Sequence, residues 1–116
     1  MTKNGNIVKW VEDDFKRLGI KIESIEAVVI FGASDYDSRY IKNYEYQKPI
    51  HGKPISWEIA KPLLDYDFDN GYGAQECNDI YIWTKDYVFY IKEYDGSTCL
   101  DWIPRNPNNY MEENKE

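Results

Sequence analysis

One twelve-residue stretch holds the acidic side chains with the clearest chemical spacing. In Asp65 to Glu76, DYDFDNGYGAQE, acids fall at positions one, three, five and twelve counted from Asp65. Gly71 at position seven adds a backbone carbonyl. Hard oxygens at this spacing can gather round a calcium ion, so Asp65, Asp67, Asp69, Gly71 and Glu76 form the candidate metal set. Read without a metal, the stretch is an acidic loop punctuated by Gly71 and Gly73, with Tyr66 and Phe68 anchored in a core. The same carboxylates could work with Asp101 as a paired acid and base. That enzymatic reading has the least to rest on, because 21 acids against 14 bases give a net charge of −7 and place carboxylates throughout the chain. His51 is the only histidine. A catalytic histidine needs a nucleophile or an orienting acid, and no such partner can be assigned to it. It reads as a solvated loop residue, and no enzyme is expected.

Over residues 65–76 the chain resembles an EF-hand loop. The resemblance implies calcium as the ligand and ends at Glu76. It departs at position six, where EF-hands carry Gly and this chain has Asn70, the next best residue for a left-handed turn. Tyr66 and Phe68 are also unusual there, and a strand is expected afterwards instead of a helix. The run FGASDYD, Phe31 to Asp37, resembles the glycine–serine turn and Asp-x-Asp of minimal nucleotidyltransferases. Here Ala33 separates Gly32 from Ser34, and Asp35 and Asp37 follow too closely. In size, acidity and aromatic content the chain is similar to bacterial immunity proteins and phage anti-defence proteins. Those block a nuclease or another nucleic-acid-binding partner. The likeness is one of composition, with no shared motif.

The elements that must position these residues are easier to read. Ile80 to Ile103 predicts three antiparallel strands joined at Lys85-Asp86 and Asp95-Gly96, the second being a strong hairpin signal. Two-residue turns put Phe89 between Ile82 and Trp102, with Ile80, Ile91 and Leu100 in the next row of one apolar face. The opposite face then carries Asp79, Tyr81, Trp83, Val88, Tyr90, Lys92, Cys99 and Asp101. Ile7, Val8, Val11, Phe15 and Leu18 recur at helical spacing, predicting an amphipathic helix over Asn6 to Leu18. Asn4 or Asn6 caps its start and Gly19 its end. Ile25 to Phe31 predicts a strand covered on both faces, because Val28, Val29 and Ile30 are consecutive. Ser34 to Gln47 fits either a helix or a strand, with its tyrosines as cover or as contact surface. Pro49 to Pro54 is a loop, and Ser56 caps a short helix to Leu64 that Pro62 kinks or ends. The expected class is therefore α+β. An antiparallel sheet of four to five strands, with a C-terminal β-meander at about 80–103, packs against the N-terminal helix and a short second helix.

At 116 residues the chain suits one domain over 1–116, with a polar tail at about 108–116. No apolar run is long enough to span a membrane, and MTKNGNIVKW lacks the h-region of a signal peptide. Two cysteines, Cys77 and Cys99, suit a reducing cytoplasm and are expected to be unpaired. The acidic balance disfavours direct contact with nucleic acid or an anionic membrane. It favours a protein partner with a basic surface. The expected function is a small acidic interaction protein that inhibits or adapts such a partner. Its contact residues are read as Asp65, Tyr66, Asp67, Asp69, Tyr72, Glu76, Asp79, Tyr81, Trp83 and Tyr90, because acids steer encounter and aromatic rings hold contacts.

Overall fold

A computed structural model describes residues 5–32, 41, 43–71, 75–94 and 97–106. The chain forms helix α1 (Ile7–Leu18), strand β1 (Ala27–Phe31), the single helical turn α2 (Tyr44–Gln47) and helix α3 (Trp57–Leu64). Strands β2 (Asp79–Trp83), β3 (Tyr87–Tyr94) and β4 (Ser97–Pro104) complete the fold. The four strands make one antiparallel sheet in the order β1-β2-β3-β4, which establishes the α+β class.

The register follows from the apolar face. Ile82 lies opposite Phe89, Phe89 opposite Trp102, and Ile91 opposite Leu100. Any one-residue slip would turn this set to solvent. Thr84 fixes the first turn, donating its N–H to the Tyr87 carbonyl at 2.9 Å and accepting the Tyr87 N–H on its hydroxyl at 3.0 Å. Tyr94 pairs with Ser97 across the second turn, whose residues Asp95 and Gly96 lie outside the described set.

The helices cover the inner face. Asn6 caps α1 through a hydrogen bond from the Lys9 N–H, and Gly19 ends it at φ 73°. Phe15 of α1 stacks on Phe89 with ring centroids 4.6 Å apart, while α3 buries Ala60 and Leu64 in the same core. Pro62 stays inside α3, which keeps eight residues. Both sheet edges are guarded. Ile55 exchanges two backbone hydrogen bonds of 2.8 Å with Val28 on β1. On β4, Asn70 accepts the Thr98 N–H at 2.9 Å and donates its side-chain amide to the Thr98 carbonyl. Such cover blunts pairing with foreign strands.

Two readings of the sequence meet a simple outcome here. In the ambiguous stretch Ser34 to Gln47, residues 44–47 are helical, while Tyr36 and Tyr40 lie outside the described residues. Cys77 and Cys99 are both unpaired. Cys77 precedes β2 and is enclosed, so strand parity does not apply to it, whereas Cys99 is exposed on the sheet. The polar tail at 108–116 also lies outside the described residues.

Candidate functional site

Strand alternation sends every second side chain to the face that α1 and α3 leave open. The register assembles that outer face in rows. Ala27, Trp83, Val88 and Ile103 form one, and Val29, Tyr81, Tyr90 and Asp101 the next. Phe31 lies opposite Asp79 in a third. Inner-face residues Val28, Ile30, Ile80, Ile82 and Phe89 are buried; on the outer face Val29 is buried too, so β1 is covered on both sides there, while Tyr81 on an interior strand keeps 42% of its surface.

The rings of this face form a continuous strip. Tyr81 lies 6.0 Å from Trp83 at a 39° tilt and 6.0 Å from Phe31 in an edge-on arrangement. His51 extends the strip, meeting Phe31 edge-on at 5.5 Å. Its Nε2 accepts the Gly32 N–H at 3.3 Å, and the next residue, Gly52 at φ 72°, donates its N–H to the Ile30 carbonyl. Beside the strip, Asp101 pairs with Lys92 at 3.4 Å and accepts from the Tyr90 hydroxyl. Cys99 shares this side of the sheet, where partial burial and then the Asp101 charge push its thiol pKa up.

The acidic loop belongs to a different part of the molecule. Residues 65–68 alternate in burial, so Tyr66 and Phe68 enter the core while Asp65 and Asp67 face outward. Both carboxylates accept from the Asn6 amide, at 3.1 and 2.9 Å, at the start of α1. Asp69 accepts the Gly71 N–H at 2.9 Å, forming a local turn. Of the proposed metal set, these three acids thus bond to amide N–H donors. Among the described residues no cluster of three or more acids, histidines or cysteines is poised to hold a metal ion.

The expected contact surface therefore divides. Asp79, Tyr81, Trp83 and Tyr90 share the outer sheet face, while Asp65 and Asp67 lie with the helix layer. Glu76 is half-buried ahead of β2, and Tyr72 lies outside the described residues. Tyr66 is a correction. It is 4% exposed, donates its hydroxyl to Asn78 Oδ1 at 2.8 Å, and accepts the Asn78 N–H at 3.1 Å. Asn78 also exchanges side-chain amide bonds with Gln47 and donates to the Phe31 carbonyl, so this buried network joins α2, β1 and the approach to β2. Burial pushes the Tyr66 phenol and the neighbouring Cys77 thiol pKa values well up. Both groups are structural. Phe31 and His51 were missed as members of the strip. Phe31 was legible from its parity with Val29, whereas His51 arrives through the return of residues 48–55 along β1, which no local pattern announces.

Comparison with family models, curated proteins and solved structures finds no match to this chain.

Proposed function

We propose that this protein works by docking its outer sheet face on a partner protein with a basic surface, as an inhibitor or adaptor and not as an enzyme. The observation that carries the reading is the exposed Tyr81 at the centre of the strip Phe31, Tyr81 and Trp83. Aromatic side chains supply large, rigid contact area and dominate the slow dissociation of protein complexes. The net charge of −7 complements a basic groove, so a nuclease or other nucleic-acid-binding protein is the partner class with the matching surface. Asp65, Asp67 and Asp69 act at longer range in this scheme, steering encounter and making association sensitive to salt.

The test compares immobilised wild-type protein with a Tyr81→Ala, Trp83→Ala variant in lysate from the source cell. Proteins held by the first and lost by the second are purified, and the complex is re-formed. Association that slows with added salt, and dissociation that quickens in the variant, support the reading. A partner bound equally well by both forms contradicts it.

A further inference from the structure

We propose that the outer face is built to take arginine, with a guanidinium of the partner lying over Tyr81 and Trp83 and Asp79 as its counter-ion. The inference rests on the docking reading above and names the side chain the surface fits. Asp79 precedes Tyr81 by two residues on one face of β2, so the two are neighbours about 6.8 Å apart along the strand. The Asp79 carboxylate accepts one hydrogen bond, from Gln75 Nε2 at 2.9 Å, and keeps further acceptor positions. Among the described residues, the outer-facing strand positions carry two acids, Asp79 and Asp101. Asp101 is neutralised by Lys92, but among the described residues no cation pairs with Asp79. The unneutralised carboxylate is thus the one next to the exposed Tyr81 on β2.

The fold already contains this arrangement on its other side. The Arg17 guanidinium lies 5.3 Å from the Trp102 ring centre and hydrogen-bonds Asp14 at 2.6 Å. Ring, guanidinium and carboxylate there satisfy one another. On the outer face the ring and the carboxylate are present, and among the described residues no cation joins them. Lysine is the poorer fit, because its ammonium is compact and strongly hydrated, whereas the planar guanidinium stacks and bonds in a fork.

A hexa-arginine peptide and a hexa-lysine peptide of equal charge make the test. Each is titrated into isotope-labelled protein at about 0.15 M salt while chemical shifts are followed. The arginine peptide is expected to bind about tenfold more tightly, with the largest shifts at Tyr81 and Trp83. Asp79→Asn, which keeps an acceptor for Gln75, should remove that preference. The Asp65→Asn, Asp67→Asn variant should weaken both peptides and leave the preference in place. Equal affinities with shifts at Tyr81 would overturn the arginine assignment while leaving the docking face intact. Shifts confined to residues 65–69 would overturn it too. Failure of the docking reading has a separate signature, a purified partner complex indifferent to Tyr81→Ala.

Discussion

Gly5 shows how tightly single residues bind this core. It exchanges two backbone hydrogen bonds of 2.9 Å with Phe68, and a Cβ at this position would lie 2.5 Å from the Phe68 ring. That ring cannot swing away, because it is buried and meets Trp10 edge-on at 5.3 Å. Gly5→Ala should therefore destabilise by about 1–3 kcal/mol, the usual range for overpacking. Thermal melting would read this as a clear drop, and an unchanged melting temperature would contradict the Gly5–Phe68 pairing. Tyr66 and Cys77 make a second prediction at this scale. Burial holds both groups above their ordinary pKa values, so the native state keeps protons that the unfolded chain gives up above pH ~8.5 and ~10. The unfolded state then binds fewer protons, and stability falls as pH rises through that window. Urea unfolding of the Tyr66→Phe, Cys77→Ala variant should show a flatter alkaline slope than wild type. An identical slope would mean that other groups drive the loss.

At the level of elements, the docking proposal assigns stability to one face of the sheet and binding to the other. Phe89 is fully buried between Phe15 and Trp102, with centroid distances of 4.6 and 5.9 Å. Phe89→Ala should cost about 3–5 kcal/mol. Tyr81→Ala, on the same sheet but facing solvent, should change stability far less. Paired denaturant curves distinguish the two, and comparable losses would mean that the outer face is covered. The meander was legible because its face pattern, turn residues and strand lengths all agree, which leaves one register. Helix α1 was legible through its apolar spacing and caps. The loop 65–76 was only half legible. Its acid spacing fits a cation cage and an alternating in-and-out segment equally, and residues 65–68 are held by Gly5 and Asn6, about sixty residues away in the chain. The same alternation that buries Tyr66 turns Asp65 and Asp67 outward, a pattern of period two that competes with any curled loop.

On the scale of the whole molecule, acidity and aromatic surface do different things. On the docking proposal, charge acting over about a Debye length would set how fast a partner arrives, and the outer strip would govern how long it stays. The sequence displayed both ingredients but grouped them on one surface. It could not show that α3 packs Ala60 and Leu64 into the inner core while Tyr81 stays exposed on the outer face. Tyr46, 75% exposed on α2, and Tyr81, on the outer face, provide an internal comparison. Hydroxyl-radical footprinting of the purified partner complex, read by mass spectrometry, tests the docking face most directly. Labelling of Tyr81 and Trp83 should fall on binding while labelling of Tyr46 stays as in the free protein. Protection of Tyr46 with Tyr81 and Trp83 still fully labelled would contradict the account.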